Sequence, residues 1–108
     1  MKQRITRRAQ RYPVHLEINS LNGKPAGGSF IVDLSALGAK LESSTPLSPR
    51  HQVEFTFTLP GCAAQTKAVG TVVWMRPLLT APGRYHMGIK FFNSVWEIDQ
   101  MGRSGQLR

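Results

Sequence analysis

Basic side chains crowd the first eleven positions, which carry Lys2, Arg4, Arg7, Arg8 and Arg11 before the first acid at Glu17. Arg7 and Arg11 form an R-x-x-x-R pair, and Arg4 and Arg8 have the same spacing. A guanidinium group binds planar, bidentate partners such as phosphate and guanine edges, whereas lysine acts as a point charge. The composition of this arm therefore predicts that it binds an anionic ligand. The alternative is a solvated tail that has no specific partner.

A second motif, D-x-S-x-x-G, is formed by Asp33, Ser35 and Gly38. Asp and Ser side chains bond nearby backbone, and glycine permits positive φ, so a tight turn between strands alone would account for all three residues. A carboxylate can also accept hydrogen bonds from N1 and N2 of guanine, while arginine suits O6, N7 and phosphate. Together the two motifs predict a site for an anionic guanine nucleotide.

Other chemistry finds little support in the sequence. His15, His51 and His86 share no metal-ligand spacing, and Cys62 is the single cysteine, so we expect neither a metal site nor an internal disulfide. Ser35 lacks the G-x-S-x-G elbow of a nucleophilic serine. The sequence therefore predicts no catalytic residue, and the protein is not expected to be an enzyme.

Short alternating segments separated by turn signals fill the chain after the arm. We interpret six of them as strands, at 12–19, 29–34, 39–42, 53–59, 68–75 and 84–92. Their spacing leaves no room for the crossover helices of a parallel sheet. The predicted fold class is all-β: a six-stranded antiparallel β-barrel with a short C-terminal α-helix over 94–101, capped by Asn93.

The same patterns assign side chains to the core and to the surface. Five aromatic residues are predicted to be core residues: Phe55, Phe57, Trp74, Phe91 and Trp96. Glu97 and Asp99 are predicted to be surface charges on the helix.

Length and composition indicate one small domain. The chain has 108 residues and a formal net charge of +8, and we divide it into a basic arm at 1–11 and a barrel at 12–108. No run of about 18 apolar residues is present, so no membrane span is expected. The first fifteen residues lack the apolar stretch of a secretory signal, which predicts a cytoplasmic protein, and Met1 favours a stand-alone chain.

Four pieces of the sequence, taken in order, resemble the PilZ domain, the cyclic di-GMP receptor family of bacteria. They are the RRAQR motif at 7–11 leading directly into Tyr-Pro-Val, the D-x-S-x-x-G motif at 33–38, GTVVW at 70–74 and YHMGIKF at 85–91. Each piece is weak alone, but their order and strand context are specific. The family fold, an antiparallel six-stranded barrel with a C-terminal helix, agrees with the strand pattern.

The resemblance implies a cyclic di-GMP site formed by Arg7, Arg8, Arg11, Asp33, Ser35 and Gly38. Arg7 and Arg11 match the arginines that hold guanine edges and phosphates in the family. Asp33 and Ser35 match its polar contacts to guanine, and Gly38 matches the glycine that lets the backbone pass close by. No other cofactor is implied. Whether one ligand or an intercalated pair binds stays open, since Thr6 stands before the motif but Arg4 could reach in.

The expected mechanism is ordering of the arm over the barrel by the ligand, which presents a changed surface to an unidentified effector protein. One alternative is a basic barrel that binds RNA or single-stranded DNA. We expect no exposed aromatic platform, which argues against nucleic acid as the partner. The other alternative is a protein-interaction adaptor that works without a ligand.

Overall fold

The computed structural model describes residues 10–107 of the chain. Its elements are β1 (Tyr12–Leu21), β2 (Lys24–Pro25), β3 (Phe30–Leu34), β4 (Gly38–Ser43), β5 (Gln52–Phe57), β6 (Thr66–Pro77), β7 (Tyr85–Phe91) and α1 (Trp96–Arg103). All strand pairs are antiparallel. Between residues 10 and 107, no helix has the length and apolar character needed to cross a bilayer.

The strands close into a barrel. Their order is β2-β1-β3-β4-β7-β6-β5, and an additional pairing of β1 with β5 joins the two ends of the six longer strands. Closure removes the unpaired edges that an open sheet of this size would expose. The predicted fold class is confirmed, with one addition: β2 lies between the first two predicted strands, and its two residues pair with the end of β1.

The barrel interior holds the alternating apolar residues of the strands. Phe55, Phe57 and Phe91 are buried, as predicted. Trp96 is 49% exposed, so its assignment to the core was wrong. At about 100° per residue, Trp96 lies about 140–160° around the helix from the buried Ile98 and Met101. The apolar spacing of the segment therefore included one residue that belongs to the opposite face.

Helix α1 begins two residues later than predicted. Val95, not Asn93, precedes it, and no side chain caps its first turn. The Val95 N–H instead donates to the carbonyl of Ala36, at 2.7 Å, in the turn between β3 and β4. The helix is therefore fixed to the D-x-S-x-x-G turn by a backbone hydrogen bond rather than by a local cap.

Asp99 is buried, contrary to its prediction as a surface charge. The phenol of Tyr12 donates to the Asp99 Oδ1 at 3.2 Å and to its carbonyl oxygen at 3.3 Å. Arg103 Nη2 lies 3.0 Å from Asp99 Oδ2. Gly102 packs directly beneath the Tyr12 ring, with no space for a Cβ. These contacts join the helix to the first residue of β1, an arrangement that local sequence spacing does not reveal.

Replacing Gly102 with alanine should destabilise the fold. Alanine normally improves a helix interior by about 1 kcal/mol relative to glycine, but here its Cβ would collide with the Tyr12 ring. We expect Gly102→Ala to lower the free energy of unfolding by about 1–3 kcal/mol in urea titrations. Gly27→Ala is the matched control, since nothing lies within 4 Å of its added Cβ. Equal or higher stability of Gly102→Ala would contradict the contact.

The Tyr12 phenol should make stability depend on pH in the alkaline range. Burial of the phenol, followed by its hydrogen bond to Asp99 and the charge of that carboxylate, raises the pKa of Tyr12 above its usual 10.0, although Arg103 opposes the shift. The folded state therefore favours the protonated phenol. Its contribution is fully present below pH 10 and is lost as pH rises through the folded-state pKa.

The test is the difference in unfolding free energy between the wild type and Tyr12→Phe, measured from pH 8 to pH 11. We expect the difference to shrink toward the alkaline end. Lysine titration is common to both proteins and cancels in the difference. A difference that stays constant across this range would count against the hydrogen bond between Tyr12 and Asp99.

Candidate ligand-binding site

A cleft of about 300 Å³ lies on the outer face of the barrel, where β3, β4, β7 and β6 run side by side. It is lined by four of the residues that the sequence analysis selected: Arg11, Asp33, Ser35 and Gly38. The volume is at the lower end of the range for small-molecule sites. The other two selected residues, Arg7 and Arg8, lie outside the described residues.

A β-bulge at Val32 directs Asp33 toward the cleft. Ile31 pairs with Leu41 and Asp33 with Lys40, so β3 has one residue more than β4 between these pairs. Uninterrupted alternation from the buried Ile31 would have turned Asp33 inward. The extra residue reverses the alternation, which leaves Asp33 on the outer face and Leu34 in the core.

Arg11 and Asp33 form an ion pair at the edge of the cleft. Arg11 Nη2 lies 2.8 Å from Asp33 Oδ2, and the two side chains are 67% and 24% exposed. An ion pair with so much solvent access contributes about 0–1 kcal/mol to stability. A ligand with its own hydrogen-bond donors and phosphate can therefore exchange with it at low cost.

Ser35 organises the turn between β3 and β4. Its Oγ accepts hydrogen bonds from the N–H groups of Leu37, at 3.1 Å, and Gly38, at 3.2 Å. The hydroxyl proton points to the carbonyl of Gly38 over a long 3.4 Å. The Ser35 N–H donates to the same carbonyl at 2.9 Å. The turn interpretation of this serine is thus correct, and its acceptor capacity is used within the turn.

Gly38 is required by close strand packing, and the positive φ that a glycine permits is not used here. Its φ is not among the positive values of the structure. A Cβ at this position would instead collide with the backbone carbonyl of Ile89 on β7. Gly38 therefore lets β4 approach β7 closely, directly beneath the cleft.

Trp74 is a wall residue of the cleft that the sequence analysis assigned to the core. Val72 pairs with Ile89 and Trp74 with Gly88, so Val73 is an extra residue and forms a bulge in β6. Strict alternation places Trp74 on the same face as the buried Val72, whereas the bulge moves it to the outer face. The exposed fraction of Val73, 51%, fits a bulge position. No local sequence signal marks this bulge.

The indole of Trp74 lies flat against the barrel. A Cβ on Gly88 would overlap its Nε1, Cε2 and Cδ1 atoms, so the ring covers the Gly88 backbone. The guanidinium carbon of Arg76 lies 5.0 Å from the ring centroid, within cation–π range. Trp74 is only half-buried and thus supplies the cleft with an aromatic surface that is held in place.

Strand register sets the width of the cleft. Asp33 pairs with Lys40, Lys40 with Gly88, and Gly88 with Trp74, so these residues form one row across four strands. Three strand spacings separate Asp33 from Trp74, a backbone distance of about 14 Å. Asp33 and Trp74 therefore lie at opposite edges of the cleft, with Lys40 and Gly88 between them.

Two lysines add positive charge to the cleft lining. Lys40 of β4 and Lys90 of β7 both line it, and neither forms an ion pair within residues 10–107. Sequence alternation places both on the outer face, but only the pairing of β4 with β7 brings them together. Over the same range, no group of three His, Cys, Asp or Glu side chains is arranged to hold a metal ion.

Comparison with known families agrees with this geometry. The PilZ domain model matches residues 5–100, which is nearly the whole chain and includes both sequence motifs. The chain belongs to the PilZ domain family. PilZ domains are cyclic di-GMP-binding receptor and adaptor domains rather than enzymes. No curated protein and no solved structure matches the chain.

Gly88→Ala should displace the indole of Trp74, because the added Cβ would occupy the position of the ring. In a Trp96→Phe background, Trp74 is the remaining one of the two tryptophans. We expect the fluorescence emission of Gly88→Ala to shift to longer wavelength and to become more accessible to iodide quenching. Gly27→Ala in the same background is the control. Unchanged emission and quenching would contradict the packing of Trp74 on Gly88.

Proposed function

We propose that this PilZ domain binds cyclic di-GMP in the cleft and acts in the cytoplasm as a receptor that passes the signal to a partner protein. The observation that carries the proposal is the convergence of Arg11, Asp33 and Trp74 on one cleft. These residues bring a phosphate- and guanine-binding group, a carboxylate and a flat aromatic surface together. A guanine nucleotide needs all three kinds of contact.

The base contacts follow from the chemistry of guanine. Stacking of a base on an aromatic ring contributes about 1–3 kcal/mol but does not select among bases. Asp33 supplies the selection, because a carboxylate accepts from the adjacent N1 and N2 donors of guanine, and adenine offers no such pair. The proposal therefore assigns affinity largely to Trp74 and base identity to Asp33.

The arm contacts require an exchange at Asp33. Its Oδ2 is held by Arg11, so the incoming base displaces that guanidinium, which then turns to the O6/N7 edge of guanine or to a phosphate. Arg7 and Arg8 add two further guanidinium groups from the same arm. Ordering a residue costs about 1–2 kcal/mol, and several charge-assisted hydrogen bonds of about 1.5–3 kcal/mol each offset that cost.

Ser35 and Gly38 have supporting roles in this proposal. Both acceptor sites of the Ser35 hydroxyl are engaged by turn amides. Its proton makes only a long bond to the Gly38 carbonyl, so a ligand acceptor that approaches along the same direction can share the proton while both turn amides stay bonded. Gly38 keeps β4 close to β7, and because it has no side chain it takes up no space at the bottom of the cleft.

The output of the proposed receptor is helix α1 and the surface around it. Arg11 is followed directly by Tyr12, whose phenol is bonded to Asp99 of the helix. Movement of Arg11 toward a ligand therefore pulls on a residue that contacts α1. An effector protein that reads the arm together with α1 would distinguish the ligand-bound state from the free state.

Binding can be tested by isothermal titration calorimetry with cyclic di-GMP. We expect saturable binding by the wild type and a loss of at least about 30-fold in affinity for Arg11→Ala and for Asp33→Ala, since each removes a charge-assisted contact. Glu54→Ala and Lys67→Ala are matched controls. They break an exposed ion pair on β5 and β6 and should bind as the wild type does. Unchanged affinity in both cleft variants would defeat the proposal.

A nucleic-acid-binding barrel is the second candidate function, and one observation favours it. We expected no exposed aromatic platform, yet Phe92 is 54% exposed and Trp96 is 49% exposed. A single-stranded DNA oligonucleotide in the same titration separates the two functions. A nucleic-acid binder would show a steep dependence of affinity on salt and no competition by cyclic di-GMP.

A further inference from the structure

Lys40 and Lys90 are diagonal neighbours on the outer face of the barrel. Lys40 pairs with Gly88 and Gly38 pairs with Lys90 across β4 and β7, so the four positions alternate between lysine and glycine. Diagonal positions of an antiparallel pair lie about 7–8 Å apart. Two flexible ammonium groups at this separation can reach one anion placed between them.

In the described part of the chain neither lysine forms an ion pair, although Asp33 pairs in register with Lys40. Four acids, Asp33, Glu42, Glu54 and Asp99, form ion pairs, and each pairs with a base other than these lysines. The two lysines also share the cleft lining with Arg11. An anion that enters the cleft between the two lysines gains charge-assisted hydrogen bonds from both ammonium groups.

The glycines leave the lysines access to the cleft floor. Neither Gly38 nor Gly88 presents a side chain between them, and the indole of Trp74 lies over Gly88. A base stacked on Trp74 therefore lies next to Lys40, which pairs with Gly88, and to Lys90, which is two residues further along β7. Arg11 lies on the far side, beside Asp33.

We propose that Lys40 and Lys90 form a phosphate-binding pair, separate from the arginines of the arm, that selects a phosphorylated ligand over a neutral nucleoside. The proposal deepens and rests on the proposed function, because it names the groups that hold one phosphate of the dinucleotide. The arm then supplies the contacts to the other phosphate. The barrel thus has a cationic site that is present before the arm contacts the ligand.

The first test compares Lys40→Met, Lys90→Met and the double variant with Lys67→Met, which removes the same charge from a position on β6 in an ion pair with Glu54. We expect each cleft variant to weaken cyclic di-GMP binding about tenfold and to flatten its dependence on salt concentration. Weak guanosine binding, followed by NMR, should stay unchanged. Lys90→Arg should retain most of the affinity.

The folded state provides an independent readout. Because both lysines lie on the outer face and form no ion pair within residues 10–107, the cleft variants should melt close to the wild-type temperature. Wild-type affinity in the double variant, or an equal loss in Lys67→Met, would overturn the proposal. So would a loss of guanosine binding that matches the loss of dinucleotide binding.

A second probe keeps this inference distinct from the identity of the messenger. Pyrophosphate should shift the backbone amide signals of Lys40, Gly88 and Lys90 in the wild type, and these shifts should be absent in the double variant. A protein that ignores cyclic di-GMP but responds to pyrophosphate would reject the proposed function and support the lysine pair. A protein whose amides respond to neither would overturn both.

Discussion

Two inserted residues, one in β3 and one in β6, decide which side chains face the cleft. The period of a strand is two residues, so a single extra residue exchanges the inner and outer faces for everything that follows it. Val32 is the extra residue that shifts Asp33 to the outer face, and Val73 is the extra residue that shifts Trp74 there. The carboxylate and the indole reach the same opening because both shifts occur, and the continuous core is restored immediately afterwards by Leu34 and Met75.

The barrel itself could be anticipated from sequence, whereas much of the cleft could not. Strict alternation in β5 and turn residues between strands were enough to predict antiparallel pairing and closure. Trp74 was misplaced because alternation carries no mark of an inserted residue. Trp96 and Asp99 were misplaced for a different reason, since the burial of a short helix depends on which neighbouring strand it covers. The contact of Tyr12 with Asp99, 87 residues apart, has no local signature.

Asp33 and Trp74 are held in the cleft by different kinds of contact. Asp33 is held on the outer face by a bulge and contributes little to stability through its exposed partner, Arg11. Trp74, although half-buried, is held by Gly88 beneath it and by Arg76, whose guanidinium lies over the ring. The cleft thus has a rigid side at Trp74 and a side at Asp33 where the polar groups can exchange partners. Such a combination suits a ligand that stacks on the rigid side and replaces the ion pair on the other.

The serine and glycine of the D-x-S-x-x-G turn are needed for folding, which affects which residues of the motif change first when related sequences diverge. The Ser35 hydroxyl closes the turn through two amides, and Gly38 allows two strands to meet, so selection for folding alone would preserve both. A descendant that bound no ligand would still carry them. Replacement of Arg11 or Asp33, whose exposed ion pair contributes little to stability, would be the earlier trace of that change in an evolving lineage.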